Sequence, residues 1–177
     1  RAVEAALARD RGLTHVALVH VETTSGVLNP MRAVGEVVHA AGRAYFVDAM
    51  SAFGALPIEF DAAHVDFLAA SANKCLEGIP GLAFVIARRS ALEQIEGRAR
   101  TLALDLHAQW RGLEKDGQFR FTPPTHVVLA LHRALLELEL EGGVAGRARR
   151  YRANHARLRA GMERLGFRAY VPAQHSG

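Results

Sequence analysis

The sequence predicts an α/β fold in which helices flank a mainly parallel β-sheet. Short apolar runs, each bounded by glycine or polar turn residues, alternate along the chain with longer segments whose apolar residues recur at helical spacing. That alternation is typical of strands joined by crossover helices. Half of the 177 residues are apolar, which is enough to form a substantial core.

The first three predicted elements follow this alternation. Residues 2–10 form a helix with alanine and leucine on one side, and residues 15–21 form a short apolar strand. A polar loop over residues 22–26 ends that strand. Asn29-Pro30 then begins a second helix, because proline is tolerated in a first turn, and Gly42 ends it.

Three further strands are predicted from short apolar runs. One covers residues 44–47 and ends at Asp48, and the next covers residues 67–70 and ends at Ser71. A fourth, over residues 82–87, follows after a short turn with no clear helix. Two placements of this fourth strand remain open, one antiparallel to the third strand and one elsewhere in the sheet.

The C-terminal half begins with a segment that we predict to be irregular, residues 101–124. A long helix follows over residues 127–141, and Gly142-Gly143 ends it before a second long helix begins. This glycine pair is the best candidate for a domain boundary. It divides the chain into residues 1–142 and residues 143–177.

Composition narrows the class of protein. The net charge is +4, with −1 on residues 1–100 and +5 on residues 101–177, where the arginines cluster on the last long helix. A nucleic-acid surface is one interpretation, but without aromatic stacking residues the solvated face of a helix is favoured. No apolar run approaches the roughly 20 residues that span a bilayer. We therefore expect no membrane and no nucleic-acid partner. Cys75 is the only cysteine, which is compatible with a reducing compartment, so we expect a cytoplasmic protein.

Lys74 is the most informative residue, because Lys115 is the only other lysine in an arginine-rich chain. It follows the third predicted strand, at the sheet edge where ligands bind in open parallel sheets. A lysine can lose its proton and attack a carbonyl, whereas an arginine cannot. Lys74 is therefore a candidate Schiff-base residue. The alternative is a solvated lysine in a loop.

Other polar residues follow strands that end at the same edge. Asp48 ends the second strand, and the hydroxyls of Thr23, Thr24 and Ser25 follow the first. Taken singly, Asp48 could instead cap a turn, and the three hydroxyl residues could be ordinary loop residues. A lysine that forms an imine and a carboxylate that keeps a pyridine nitrogen protonated are the arrangement of pyridoxal phosphate sites. The histidines share no metal-ligand spacing, so no metal is predicted.

Several segments, in the same order and at matching spacing, resemble those of the 2-aminoethylphosphonate–pyruvate transaminases, which are class-V, fold-type-I pyridoxal phosphate enzymes. The resemblance covers nearly the whole chain. Its principal segments are residues 20–30 (HVETTSGVLNP), 47–54 (VDAMSAFG), 71–75 (SANKC), 120–126 (RFTPPTH) and 141–144 (EGGV).

The resemblance implies a role for each candidate residue. Lys74 would bind pyridoxal 5'-phosphate as an imine and carry the proton, and Asp48 would face the ring nitrogen. One hydroxyl of Thr23, Thr24 and Ser25, with Thr23 favoured, would contact the cofactor near its ring oxygen. Thr122 would reach the cofactor phosphate of the neighbouring subunit in a homodimer. Residues 1–142 would be the C-terminal part of the cofactor-binding large domain, and residues 143–177 the start of the small domain.

The implied reaction transfers the amino group of 2-aminoethylphosphonate to pyruvate, giving phosphonoacetaldehyde and L-alanine. An alanine–glyoxylate or serine–pyruvate aminotransferase is a close alternative, and a truncated, non-catalytic domain that binds a partner is another. The resemblance also implies an internal fragment, because the family's phosphate-binding loop and its carboxylate-binding arginine have no counterpart here. We expect this chain alone to be inactive.

Overall fold

Four strands form one sheet in the computed structural model, which describes residues 1–176. Their order in the sheet is the order of the chain, and the first three are parallel. The strands are β1 (His15–Val19), β2 (Ala44–Asp48), β3 (Phe67–Ser71) and β4 (Ala83–Ala87). The predicted α/β class, with a mainly parallel sheet and flanking helices, is confirmed. The first strand is shorter than predicted, since it ends at Val19 rather than at residue 21.

β4 runs antiparallel to β3, which decides between the two placements left open by the sequence. Ser71 at the end of β3 pairs with Ala83 at the start of β4. Only residues 72–82 connect them, and a parallel crossover usually needs a dozen or more residues. The short connection therefore folds back as a turn. That turn carries Lys74.

In the described part of the chain, six helices accompany the sheet: α1 (Ala2–Arg9), α2 (Met31–Ala40), α3 (Arg89–Glu93), α4 (Leu106–Asp116), α5 (Thr125–Leu140) and α6 (Gly143–Arg164). A 3₁₀ turn covers Ala173–His175. The short α3 had not been predicted, and α5 begins slightly earlier than predicted.

The prediction that residues 101–124 are irregular is wrong, because α4 lies within them. The Asp105 carboxylate caps this helix by accepting the Ala108 N–H at 2.9 Å. Gly117 ends it in the left-handed conformation, with φ 74°. Both residues are ordinary helix-boundary signals. They were obscured by a helix sequence with a low apolar content.

The core lies between α2 and the two central strands. Tyr45, Val47 and Leu68 are fully buried there beside Val38 of the helix. The Tyr45 hydroxyl donates a 3.0 Å hydrogen bond to the Met31 carbonyl, which satisfies the polar end of a buried ring. This packing fixes where β2 and β3 lie relative to α2 along the strand direction. It therefore also fixes the edge at which those strands end.

α5 and α6 pack against each other across the glycine pair. Gly142 has φ 94° and Gly143 has φ 66°, both in the left-handed region that suits glycine. The chain thus reverses direction at the predicted domain boundary. The division into residues 1–142 and 143–177 stays a prediction, and residue 177 lies outside the described residues. No helix among residues 1–176 combines the length and apolar character needed to cross a bilayer.

Candidate active site

The carboxyl ends of the three parallel strands meet at one edge of the sheet. In the register of the sheet, Asp48 lies beside Val19 on one side and beside Ala69 on the other. The Asp48 carbonyl accepts the His20 N–H at 2.8 Å, which extends the pairing one residue beyond β1. The loops that follow all three strands therefore begin side by side, as their sequence positions predicted.

Two hydrogen bonds link these three loops through Ser51. The hydroxyls of Thr23 and Ser51 lie 2.8 Å apart, which joins the loop after β1 to the loop after β2. The Cys75 thiol donates to the Ser51 carbonyl over 3.5 Å, which adds the turn after β3. Ser51 is thus shared by loops from three strands. It had not been singled out in the sequence, where it resembles any serine after a turn.

Asp48 is half-buried at the end of β2. One of its carboxylate oxygens, Oδ1, accepts the Met50 N–H at 2.8 Å, so the residue does cap the following turn. No hydrogen bond reaches Oδ2 from any residue in the described part of the chain. The turn-cap interpretation therefore accounts for one oxygen of Asp48. The other is available to a ligand.

Lys74 lies on an exposed bend whose backbone is tightly organised. Its carbonyl accepts the Glu77 N–H at 2.8 Å, and the Ala72 carbonyl accepts the Gly78 N–H at 2.8 Å. A Cβ on Gly78 would lie only 2.8 Å from the Ala72 carbonyl oxygen, so the turn requires glycine there. The Lys74 amine forms no ion pair within residues 1–176. A primary amine is therefore free at the sheet edge, on a constrained backbone.

The remaining predicted site residues are less closely connected to this edge. The Thr24 hydroxyl donates to Glu22 at 3.1 Å, and the Ser25 hydroxyl accepts the Val27 N–H at 3.4 Å, so both stay within their own loop. Thr122 is exposed between α4 and α5. The structure connects Thr23 to the neighbouring loops and leaves the roles of Thr24, Ser25 and Thr122 as predictions.

Two buried polar atoms near the edge have no hydrogen-bond partner in the described chain. They are the hydroxyl of Ser71, at the end of β3, and Nδ1 of His20, one residue beyond β1. Burial lowers the pKa of His20, which favours its neutral form. Both residues were missed as site candidates. Their position at strand ends was the available signal.

The largest departure from the sequence interpretation concerns the arginines of α6. Arg147 is not on a solvated helix face, because only 2% of its surface is exposed. Its guanidinium hydrogen-bonds the Cys75 carbonyl at 2.5 Å and the Glu141 carboxylate at 2.6 Å. A buried cation therefore lies directly behind the turn that carries Lys74.

Among residues 1–176, no group of three or more metal-binding side chains is found.

Comparison with known proteins agrees with this arrangement of strands and loops. The family model for "Aminotransferase class-V" matches residues 2–176. A 2-aminoethylphosphonate–pyruvate transaminase of Lysinibacillus sphaericus is 51% identical over 169 residues, which are 96% of this chain and 46% of that protein. One of Salmonella paratyphi B is 53% identical over 168 residues, 94% of this chain and 46% of that protein. The resemblance seen in the sequence is confirmed.

Solved structures show the same fold at lower identity. An alanine–glyoxylate aminotransferase of Nostoc sp. superposes with a TM-score of 0.86 at 28% identity, over 98% of this chain and 46% of that one. A pyridoxamine–pyruvate aminotransferase of Mesorhizobium loti gives 0.88 at 28% identity, over 99% of this chain and 46% of that one. The chain spans about half the length of the relatives it matches.

Proposed function

The chain belongs to the class-V aminotransferase family, and on that basis we propose that the whole protein is a pyridoxal 5'-phosphate-dependent transaminase. Its amino donor is 2-aminoethylphosphonate and its acceptor is pyruvate, so that the products are phosphonoacetaldehyde and L-alanine. The observation that carries the substrate assignment is the 51% to 53% identity to relatives with that name over almost the entire chain. The proposed setting is phosphonate breakdown in the cytoplasm, by a homodimer.

The residues at the sheet edge suit this cofactor. Three groups without a partner among residues 1–176 lie at or just beyond the ends of adjacent strands: the primary amine of Lys74, one carboxylate oxygen of Asp48 and the buried hydroxyl of Ser71. These are the groups needed to bind an aldehyde covalently, to face a protonated ring nitrogen and to accept or donate a hydrogen bond. The set of donors therefore fits pyridoxal 5'-phosphate.

The cofactor, when bound, supplies an electron-accepting ring that stabilises negative charge on the substrate carbon. Lys74 would hold the cofactor through its amine and, when released, would carry the proton between the substrate and the cofactor. The Asp48 carboxylate would keep the ring nitrogen protonated, since an adjacent negative charge favours the cationic form. Thr23, which is hydrogen-bonded to Ser51, would contact the ring oxygen, and Thr122 would reach the phosphate in the neighbouring subunit.

Visible absorbance tests the cofactor assignment directly. The whole protein loaded with pyridoxal 5'-phosphate is expected to show a visible imine band that borohydride removes. Peptide mapping then recovers the reduced label on Lys74. The matched control is Lys115→Ala, because Lys115 is the only other lysine in this chain and lies on α4. The same band in Lys74→Ala, or a label at another residue, contradicts the assignment.

The acidic partner has its own test. Replacing Asp48 by asparagine keeps the Met50 cap but removes the negative charge, so kcat is expected to fall by ~100-fold. Retention of full activity in Asp48→Asn would contradict this role.

A second candidate keeps the cofactor and changes the donor. The structural similarity to an alanine–glyoxylate aminotransferase favours alanine as donor and glyoxylate as acceptor, and serine with pyruvate is the related alternative. A donor panel on the whole protein separates the two candidates. Conversion of the visible band by 2-aminoethylphosphonate supports the first, and conversion by alanine or serine alone supports the second. If no donor acts on a correctly loaded protein, the non-catalytic interpretation stands.

A further inference from the structure

Arg147 contacts both the backbone and the side chains of the turn that carries Lys74. It projects from the first turns of α6, and its Nη1 donates to the Cys75 carbonyl and lies 3.5 Å from the Glu77 carboxylate. Its Nε donates to Glu141 at 2.6 Å. A buried cation is costly unless it is paired and hydrogen-bonded. The Arg147 guanidinium meets that condition through partners on two separate elements.

Glu77 gives this contact a conformational consequence. Its φ is 62°, in the left-handed region that a non-glycine residue rarely adopts. Its carboxylate is held from α6 by Arg150 at 2.9 Å, by the Tyr151 hydroxyl at 2.9 Å and by Arg147. Such a strained backbone persists only where the surroundings fix it. α6 therefore holds the turn after Lys74 in a shape that the turn alone does not favour.

We propose that Arg147 is a positioning residue for Lys74. Cys75 follows the lysine directly, and its carbonyl is fixed by Arg147, while the Lys74 carbonyl is fixed by the Glu77 N–H. The backbone on the C-terminal side of Lys74 is thus held from α6, which fixes the point at the sheet edge from which the Lys74 side chain extends. The proposal rests on the proposed function, because it assigns Arg147 a part in presenting Lys74 to the cofactor.

Arg150 provides the matched control for this proposal. It is bonded to the same two carboxylates, Glu77 and Glu141, but it has no contact with the Cys75 carbonyl. A purely structural role predicts that Arg147→Gln, which removes the more buried cation, lowers global stability more than Arg150→Gln does, but that it leaves the Lys74 turn and kcat of the folded protein unchanged. A positioning role predicts that Arg147→Gln acts on the Lys74 turn far more strongly.

The first experiment needs no cofactor. Hydrogen exchange of the Glu77 and Gly78 amides, which close the turn, is followed in the apo form of the whole protein. Arg147→Gln is expected to speed their exchange by ~10-fold or more, the effect of losing about 1.4 kcal/mol of local stability. Arg150→Gln is expected to change it by less than about 3-fold. Unchanged exchange in a folded Arg147→Gln protein overturns the proposal, as does equal acceleration in both variants.

The second experiment uses the loaded enzyme. A displaced reacting group costs ~100-fold in rate, so Arg147→Gln is expected to lower kcat by about that factor with little change in KM. Arg147→Lys should recover part of the loss, since it keeps the charge but not the planar fork of donors. If Arg147→Gln fails to fold, Arg147→Lys carries the test. Wild-type exchange and kcat in a folded Arg147→Lys protein then overturn the proposal.

The two proposals fail in different ways. If the wild-type protein shows no borohydride-sensitive band at Lys74, the proposed function is contradicted whatever Arg147 does. If the wild type has that band and folded Arg147→Gln matches it in exchange and kcat, only the positioning role of Arg147 is contradicted.

Discussion

The hydroxyls of Thr23 and Ser51 lie 2.8 Å apart although the residues are 28 positions apart in the chain. The first follows β1 and the second follows β2, so their hydrogen bond crosses between loops of adjacent strands. The Ser51 carbonyl also accepts a hydrogen bond from the Cys75 thiol. The candidate site is therefore a linked set of loops, and loss of one hydroxyl is expected to loosen its neighbours.

A double-mutant cycle tests this link. Thr23→Val and Ser51→Ala are each expected to lower the free energy of unfolding, because each removes one partner of the hydrogen bond. Their combined effect should be smaller than the sum of the two, with a coupling free energy of about 0.5–1 kcal/mol. Urea unfolding of the four proteins gives the value.

Thr24→Val is the control for the cycle. Thr24 is the next residue, and its hydroxyl bonds to Glu22 within its own loop. We expect additive effects of Thr24→Val and Ser51→Ala. A coupling as large as that of Thr23 would show that the cycle measures a general property of the loop and not the observed hydrogen bond.

Close packing of α2 against the loop before β3 leads to a second prediction. A Cβ on Gly35 would lie 1.9 Å from the Ala63 carbonyl oxygen, so Gly35→Ala must push the helix away from the core. We expect it to reduce the free energy of unfolding by about 2–3 kcal/mol.

Gly161→Ala is the matched change on α6, where the nearest atom, in Arg164, lies 3.8 Å away. It should stabilise by about 0.5–1 kcal/mol, from helix propensity alone. Equal effects in denaturant titrations would contradict the packing argument.

Cys75 gives a prediction about pH. Burial raises the pKa of its thiol above the ordinary value and outweighs the neighbouring Arg147 cation, which lowers it. Because the thiolate is the reactive form, iodoacetamide should modify Cys75 slowly at neutral pH, with a midpoint above that of the urea-unfolded protein. The unfolded thiol ionises first, so this group favours the folded state most at low pH and loses that contribution as pH rises. A lower midpoint in the folded protein, measured by mass spectrometry, would contradict this prediction.

The sequence was most informative where chemistry and local pattern coincided. Asp48 and Lys74 follow short apolar runs, and the parallel pairing of β1, β2 and β3 brings those ends to one edge. α2 joins β1 to β2, and residues 49–66 join β2 to β3, so both connections are long enough for parallel crossovers and the position of this edge followed from local signals. The direction of β4 did not follow in this way, because its short connection left two placements open, and the pairing of β3 with β4 selects the antiparallel one.

Contacts between distant parts of the chain were not predictable in this way. Arg147 binds the carbonyl of Cys75, which is 72 positions away, and nothing near Arg147 in the sequence distinguishes it from the exposed arginines of the same helix. The orphaned hydroxyl of Ser71 is likewise defined by what surrounds it in three dimensions. Burial of a charged side chain depends on tertiary partners, whereas helix and strand periodicity do not.

The pKa of Glu141 determines how low the pH can fall before its ion pairs with Arg147 and Arg150 of α6 are lost. Hydrogen bonds from Arg150, and then from Arg147, hold its pKa at about 2, against an ordinary value of 4.5. Since the folded-state pKa is depressed, the stabilisation is fully present above the ordinary pKa and is lost as pH falls towards 2. Glu141→Gln should therefore lower Tm at pH 7, and the difference from wild type should shrink between pH 4.5 and pH 2. Glu163→Gln, which removes an exposed pair with Arg159 on the same helix, should change Tm little at either pH. A Tm difference for Glu141→Gln that stays constant down to pH 2 would show that its charge does not stabilise the cluster.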